Sequence, residues 1–387
     1  MKGKKINVPS YLMRTKWFII ALAILALIVF GRTVHSPELT KTAIVLGAGI
    51  DFSEQDRQFI VTTQSVLMAS SSSEGAGKTS YDTYSATGNT IAEALDDISR
   101  KMGLTISFAH CNVLFVSKSV LKLDHMQLIY PLTGMYSLPE NAIIVSGEKS
   151  PREMLSTQIG TTVSAPYFLQ LALSNKEGTN GMIRTNVKDF LVRSLSRSEA
   201  VTIPYITMKK LSDQPITDDG QGEDYYEFDL SSVMVFNHDK SEILTDDLAE
   251  TLALYLTDSS FGSLNRKSEN GETVEFRLLN KNVDTSAKGR NITAEIELTV
   301  ELLDVQFITT DKVLTGADPQ IQKAAKELEK EIEDLLTELF ELSKQYDIDY
   351  LGLQAKAYQS VGRKLEKNCL DTLSFSPQVT IKVKETA

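Results

Sequence analysis

The hydrophobic and polar positions of this chain separate one continuous apolar segment near its start from a long remainder in which apolar residues recur periodically. Residues 1–16 carry five basic side chains and no acidic one. Residues 17–30 follow as an unbroken apolar run. A basic flank before such a run predicts that the N-terminus lies in the cytoplasm and that the rest of the chain lies on the far side of a membrane.

The length of the apolar run fits two kinds of segment. As a helix, residues 17–31 span about 22 Å at 1.5 Å per residue, whereas the hydrocarbon core of a bilayer is about 30 Å thick. A cleaved signal peptide and a short membrane anchor are therefore both compatible with it. An uncleaved anchor is favoured, because Arg32, Thr33 and Pro37 stand where a signal peptidase requires small residues. We predict one N-terminal transmembrane helix over residues 17–34.

The pattern of the first half predicts strands interspersed with helices. Thr90 precedes apolar residues that share one helical face, Glu93 stands three residues later and Gly103 follows them, which is typical of a capped helix. The other predicted elements of this half are strands at 43–46, 58–67, 106–116 and 141–146 and helices at 120–130 and 151–155.

The second half begins after a segment of different composition. Residues 209–227 are rich in Asp and Glu and contain two glycines, which predicts an acidic linker and the main domain boundary. Beyond it, the pattern predicts a helix over 245–257 and strands at 228–236, 273–282, 291–303 and 379–384.

The longest predicted helix begins after Asp318, which is suited to cap it, with Pro319 in its first turn. Apolar residues then recur in steps of four and three, at Ile321, Ala325, Leu328, Ile332, Leu335, Leu339, Leu342 and Tyr346. The favoured interpretation is an amphipathic helix that lies on a sheet of its own domain, with Leu335 buried in the middle of the stripe. A self-associating coiled coil is the alternative.

Together these elements predict an α+β fold, a multi-domain ectodomain of mixed sheets with packed helices, preceded by one N-terminal transmembrane helix. The chain has 387 residues, more than one core usually holds, so several domains are expected. The predicted divisions are a cytoplasmic basic tail at 1–16, the anchor or signal at 17–34, an N-terminal mixed α/β region at 38–208, the acidic linker at 209–227 and a C-terminal mixed α/β region at 228–387, either whole or divided near 228–290 and 291–387.

Charge and cysteine content narrow the class of protein. The formal net charge is −11, and the basic N-terminal flank makes the remainder still more acidic, which argues against nucleic acid as a partner. The two cysteines, Cys111 and Cys369, exclude a scaffold built on disulfides. They can pair with each other or remain as two buried thiols, and the sequence leaves both open.

No motif in the sequence assembles an active site. Residues 77–79 resemble the end of a phosphate-binding loop, but Ser72 stands at the position of its first glycine. Gly47 and Gly49 lack the third glycine of a dinucleotide-binding turn, so a bulge or turn is the simpler interpretation. His110 lies in an apolar segment and is predicted to be a hydrogen-bonded core residue.

The four histidines also lack the spacing of metal ligands. No nucleophile, base and orienting group can be assembled from the sequence. We therefore predict no catalytic, cofactor-binding or metal-ligating residues, no cofactor and no enzymatic activity. No small-molecule ligand is identifiable.

Several short motifs, in the same order, resemble those of the C-subunit family of bacterial spore germinant receptors, the Ger(x)C family. They are residues 43–51 with 59–64, the helix start at 88–95, the strand at 106–117 with His110 at the family's histidine, the hairpin at 233–240 and the end of the long helix at 344–353. The chain departs from the family in having an apolar anchor in place of a lipobox cysteine, in the sequence after Lys240 and in lacking tryptophans around 369–375.

The resemblance implies a non-enzymatic, membrane-tethered extracytoplasmic subunit of three mixed α/β domains. Such a subunit acts beside integral-membrane receptor subunits in the germination response to small-molecule nutrients, at the inner spore membrane. The residues themselves leave two alternative functions open, namely a homo-oligomeric envelope scaffold and an extracytoplasmic enzyme acting on the cell wall.

Overall fold

The computed structural model describes Leu22 and residues 41–66, 81–159, 163–174, 182–210, 226–257, 262–267, 273–306, 314–362, 365–366 and 369–384. The chain forms two units, Met1–Thr42 and Ala43–Ala387. The predicted tail at 1–16 lies outside the described residues, and so does the predicted transmembrane helix at 17–34 apart from Leu22. Among the described helices, none is both long enough and apolar enough to cross a membrane.

The first sheet and its helices are formed by the chain from Thr42 to Leu244. Its strands are β1 (Thr42–Ser53), β2 (Gln58–Val66), β3 (Tyr81–Gly88), β4 (Thr105–Ser107), β5 (Val113–Val116), β6 (Ile143–Gly147), β7 (Gln158–Ile159), β8 (Val163–Ser164), β9 (Val201–Lys210), β10 (Tyr226–Phe236) and β11 (Ser241–Leu244). Its helices are α1 (Ile91–Met102), α2 (Lys118–Leu121), α3 (His125–Met135), α4 (Pro151–Ser156), α5 (Ala165–Ser174) and α6 (Val187–Ser194).

The strands of this sheet lie in the order β3-β2-β1-β5-β6-β9-β10-β7-β8, with β4 paired to β1 and β11 to β10. The centre is parallel, because β1, β5, β6 and β9 run in one direction. Antiparallel β2 and β3 extend one side and antiparallel β10 the other. Helices α1, α2, α3 and α6 cover one face and α4 and α5 the other, so the central strands are buried on both faces.

Helix α1 begins and ends as predicted. Thr90 Oγ1 accepts a hydrogen bond from the Glu93 amide at 3.1 Å, and Gly103 follows the helix with a φ of 67°.

The predicted strand at 106–116 is wrong as a single strand, because the chain leaves the short β4, turns at His110 and re-enters the sheet only at β5. His110 is consequently exposed, and the prediction that it is a core residue is wrong.

Gly47 and Gly49 allow the second helix layer to approach β1 closely. The register between β1 and β2 shifts next to Gly47, so the bulge expected from the sequence is confirmed. A Cβ at Gly49 would lie 2.7 Å from Pro151 Cβ, and one at Gly47 would overlap the Pro166 ring. Both prolines belong to the covering helices, so the two glycines set the spacing between sheet and helices.

The second sheet is formed by the C-terminal part of the chain. Its elements are α7 (Asp246–Leu256), β12 (Ser263–Lys267), β13 (Thr273–Lys288), β14 (Asn291–Gln306), α8 (Pro319–Tyr346), α9 (Leu353–Val361), a 3-10 turn (Leu370–Thr372) and β15 (Ser374–Lys384). The order is β12-β13-β14-β15, antiparallel except for the parallel pair β14 and β15. All three helices share one core with this sheet, which confirms the mixed α+β fold and the long helix lying on a sheet.

The buried stripe of α8 differs from the predicted one at its centre. Leu336 is fully buried, whereas Leu335 is only partly buried. The predicted stripe repeats every 3.5 residues, but a straight helix has 3.6 residues per turn, so the two patterns diverge by about 20° per heptad. The prediction that Leu335 forms the buried centre is therefore wrong by one position.

Helix α8 also covers the free edge of β15. The Val379 amide donates to Glu333 Oε1 at 2.8 Å, and the Ile381 amide donates to Glu329 Oε1 at 2.7 Å. These are backbone donors that an edge strand otherwise offers to another chain. Two carboxylates of the helix thus protect the sheet edge from pairing with a neighbour.

Strand β10 connects the two sheets. It pairs with β9 in the first sheet along most of its length. Its residues Met234 and Phe236 pack into the core under α1 and α3, while Val233 and Val235 pack into the core of the second sheet. The predicted acidic linker at 209–227 thus joins neighbouring strands of one sheet, and its residues 211–225 lie outside the described residues. The division into separate domains stays a prediction.

Candidate functional site

The acidic and histidine side chains of the described residues do not converge on a metal-binding arrangement. No group of three or more His, Cys, Asp or Glu side chains in that part of the chain is placed to hold a metal ion. His110 and His238 are exposed, His125 is buried and His35 lies outside the described residues. The sequence analysis predicts no catalytic, cofactor-binding or metal-ligating residue, and this stays a prediction.

A cavity of about 170 Å³ opens at the amino ends of β5 and β6. Because these strands are parallel neighbours, the loops that precede them lie side by side at the same edge of the sheet. Buried Cys111, Ala142 and Ile143 contribute to its floor. We call this space the edge cavity.

Backbone hydrogen bonds hold the walls of the edge cavity in place. The Asn112 amide donates to the Leu46 carbonyl in the bulge of β1 at 2.8 Å. The Asn112 carbonyl accepts from the first amide of β6 at 2.8 Å. The Thr185 carbonyl accepts from the second amide of β6 at 2.8 Å, which places Arg184 beside the amino end of that strand. Gln170 reaches the cavity from α5.

Among the described residues, the side chains that line the edge cavity include a permanent cation and no acid. The polar ones are His110, Asn112, Asn141, Gln170 and Arg184. Within the described residues, no ion pair or hydrogen bond engages the Arg184 guanidinium or the three amide side chains. Glu140 is adjacent in sequence to lining residues but does not itself line the cavity. The cavity therefore presents side-chain donors and acceptors that are open to solvent and that no other described side chain engages.

Cys111 contributes an uncharged thiol to the floor. Burial raises the pKa of Cys111 to about 12, so the thiol stays protonated near neutral pH. Cys369 is also buried, and neither cysteine forms a disulfide. Of the two states that the sequence left open, the structure has two buried thiols.

The carboxyl ends of the same parallel strands carry a second group of polar side chains. Open α/β sheets most often bind ligands at this edge. Here Ser119 Oγ donates to Asp51 Oδ1 at 2.9 Å and lies 2.7 Å from Ser117 Oγ. Lys118 Nζ lies 5.2 Å from the centre of the Tyr205 ring. These side chains engage one another, whereas those at the amino edge do not.

Helices α3 and α6 contact each other in the same helix layer and carry exposed large apolar side chains. Helix α3 contains no Lys, Arg, Asp or Glu. The large apolar side chains exposed on the two helices and at the residue that follows α6, from 41% to 69%, are Met126, Tyr130, Met135, Val192 and Leu195. We call these five residues the apolar face. Exposed apolar surface of this kind marks sites where proteins meet other proteins or membranes.

Sequence reasoning missed both features, for different reasons. The edge cavity joins residues that are far apart in sequence, so no local pattern connects Arg184 with Asn141. The apolar face left only part of a signal, because the observed helix His125–Met135 has no Lys, Arg, Asp or Glu, whereas the helix predicted at 120–130 includes Lys122 and Asp124. His110 was singled out as a buried residue and instead lines the mouth of the cavity.

Comparison with known proteins places both halves of the chain in one family. The model of the spore germination protein N-terminal domain matches residues 35–208, and the model of the spore germination B3/GerAC-like C-terminal region matches residues 231–387. Spore germination protein KC of Bacillus subtilis (strain 168) is 24% identical, over 96% of this chain and 95% of its own length.

A solved structure also resembles this one. The crystal structure of the GerBC protein covers 88% of this chain and 98% of its own, with a TM-score of 0.49 and 14% sequence identity.

Proposed function

The chain belongs to the GerAC-like family of spore germination proteins, and from this premise we propose that it is a non-enzymatic, membrane-tethered extracytoplasmic subunit of a spore germinant receptor. In this role it acts with integral-membrane subunits in the germination response to small-molecule nutrients. The observation that carries the proposal is the match of family models to both halves of the chain.

The N-terminal sequence supports the location. Five basic residues and an apolar run precede the compact unit Ala43–Ala387. A basic flank is retained in the cytoplasm, so an uncleaved run would hold the compact unit at the outer surface of the membrane. In a spore, this membrane is the inner spore membrane.

The apolar face supports a docking role for the compact unit. Removal of these exposed apolar side chains from water would favour binding, and Met and aromatic residues such as Met126 and Tyr130 are enriched where proteins bind one another. A subunit fixed to a membrane meets the outer loops of multi-span proteins at short range. We assign the apolar face to contact with such an integral-membrane partner.

Co-purification of the tagged full-length chain from spore membranes in mild detergent tests this proposal. Multi-span membrane proteins should accompany the unaltered chain in a fixed ratio. Tyr130→Asp combined with Val192→Asp should remove them, because both side chains are exposed and a charge on either opposes apolar contact.

The matched control is Tyr167→Asp combined with Leu171→Asp, since both residues are exposed on α5 in the opposite helix layer. This variant should keep the partners. Retention of the partners by the α3 and α6 variant would contradict the assignment of the surface. Recovery of the unaltered chain only as multiple copies of itself would favour the envelope scaffold.

A further inference from the structure

The size of the edge cavity limits what it can hold. Its volume of about 170 Å³ compares with roughly 30 Å³ for one water in the liquid and with about 300–1,000 Å³ for typical pockets of drug-sized ligands. The cavity accommodates a handful of waters or one small organic molecule. A nucleotide, a sugar chain or a folded peptide is too large for it.

The charge of the edge cavity indicates the chemistry of that molecule. Arg184 supplies a guanidinium that no group among the described residues engages, and no carboxylate from those residues lines the space. This is a local exception in a chain of net charge −11. A guanidinium binds a carboxylate through two parallel hydrogen bonds, which gives both strength and orientation.

The remaining polar side chains suit a ligand with both donors and acceptors. Asn112, Asn141 and Gln170 each offer an amide NH₂ and an amide oxygen, and His110 offers one ring nitrogen of each kind when neutral. Among the described residues, no group of three or more His, Cys, Asp or Glu side chains is placed to hold a metal ion, so a bare cation finds no ligand set in the cavity.

We propose that the edge cavity is a binding site for a small molecule that bears a carboxylate, held by the Arg184 guanidinium and by the amide side chains of Asn141 and Gln170. The site is built by the loops before β5 and β6 and by α5. It does not depend on the receptor role proposed above, since the binding can be measured on the chain alone.

Saturation-transfer NMR on the full-length chain in detergent micelles, with sodium propionate as the probe, tests this proposal. Propionate should give a saturable signal, and its neutral isostere propionamide should bind at least tenfold more weakly, because only the carboxylate pairs with the guanidinium. Arg184→Gln should weaken propionate binding at least tenfold and remove the preference over propionamide.

Arg152→Gln is the matched control, because Arg152 is also exposed and lies on α4 away from the lining residues. It should leave propionate binding unchanged. Asn141→Leu provides a second variant that should weaken binding without removing the charge. Absence of saturable binding, equal binding of propionamide, or equal losses from Arg184→Gln and Arg152→Gln would each overturn the proposal. None of these results would bear on the docking of the apolar face.

Discussion

His125 is a histidine held among aromatic rings at the inner side of α3. Its Nε2 lies 3.0 Å from the Leu121 carbonyl and so carries the proton, while its Nδ1 is buried without a partner among the described residues. The ring meets Phe190 and Phe236 edge-on and stacks on His238 at 4.9 Å between centres. Burial lowers the pKa of His125, the charge of neighbouring His238 lowers it further, and the Leu121 carbonyl opposes the change.

The lowered pKa predicts how stability depends on pH. In the unfolded chain this histidine titrates near an ordinary pKa of about 6.5, so the unfolded state binds more protons as the pH falls below that value. The contribution of His125 to the free energy of unfolding is therefore present above about pH 6.5 and is lost as the pH falls through the folded pKa. His125→Phe keeps the ring packing and removes the titration. Chemical denaturation of the full-length chain at pH 7.5 and pH 5 should show a smaller decrease in this variant than in the unaltered protein.

The control for this prediction is His110→Asn, because His110 is exposed. This variant should show the same decrease in the free energy of unfolding between pH 7.5 and pH 5 as the unaltered protein. An identical decrease in His125→Phe and in the unaltered chain would contradict the role given to burial.

His110 and His125 together show how far the sequence predicts the environment of a single residue. Both histidines stand next to apolar residues, and only the turn before β5, set by the pairing of distant strands, exposes one of them.

Among the elements, the existence of α8 is predicted from its stripe, and the structure places it at Pro319–Tyr346, where Asp318 Oδ2 accepts from the Thr315 amide and makes no capping hydrogen bond to the helix. What the pattern could not supply is the face that contacts the sheet. The predicted and observed stripes agree from Ile321 to Ile332, and the spacing of the straight helix then places Leu336 in the core in place of Leu335. The contact of Glu329 and Glu333 with the edge of β15 was equally hidden, because carboxylates on a helix surface are ordinarily read as solvent-exposed.

The difference between Leu335 and Leu336 predicts unequal effects of one substitution. Leu336→Asp buries a charge in the core of the second sheet and should lower the free energy of unfolding by several kcal/mol. That is a large share of a typical stability of about 5–15 kcal/mol. Leu335→Asp can place its carboxylate in water and should cost clearly less. Urea denaturation followed by circular dichroism measures both.

The outcome separates two interpretations of the helix. If Leu335→Asp leaves the protein folded but dissociates an oligomer seen by sedimentation, α8 is a coiled-coil element and the scaffold function gains support. If both variants are equally destabilised, the assignment of the buried face is wrong. Glu338→Ala on the exposed side of α8 serves as the reference and should change little.

At the scale of the whole molecule, the two sheet regions are connected by more than strand β10, whose side chains pack into both cores. Asn237 Nδ2 donates to the Asp347 carbonyl at 3.0 Å, and the Ala355 amide donates to Ser198 Oγ at 3.3 Å. Arg197 donates to the Leu365 carbonyl at 3.1 Å. Each of these contacts joins a residue of the first sheet region to a residue that follows the end of α8.

The order of helices and strands could be predicted from the chain, but this connection could not. A segment rich in Asp, Glu and Gly has the same composition whether it separates two domains or joins two strands of a hairpin. Pairing of β9 with β10 depends on contacts across that segment, and packing of β10 into two cores depends on residues further away still. Local patterns carry no information on such distant contacts.

Cutting the chain within 211–225 gives the decisive test of whether the two halves are separate folding units. A fragment ending at Lys210 lacks Phe228, Leu230, Met234 and Phe236, which are buried in the two cores of the first sheet. At about 1.5–3 kcal/mol for each buried side chain, their loss amounts to roughly 6–12 kcal/mol, comparable to the whole stability of a typical domain.

We expect fragments 43–210 and 226–387 to show no cooperative thermal transition when each is alone. When mixed, they should associate, because β9 and β10 can pair again, and should regain a single transition in near-ultraviolet circular dichroism. Cooperative unfolding of fragment 43–210 by itself would show instead that the first half is an independent domain and that the acidic segment is a true linker.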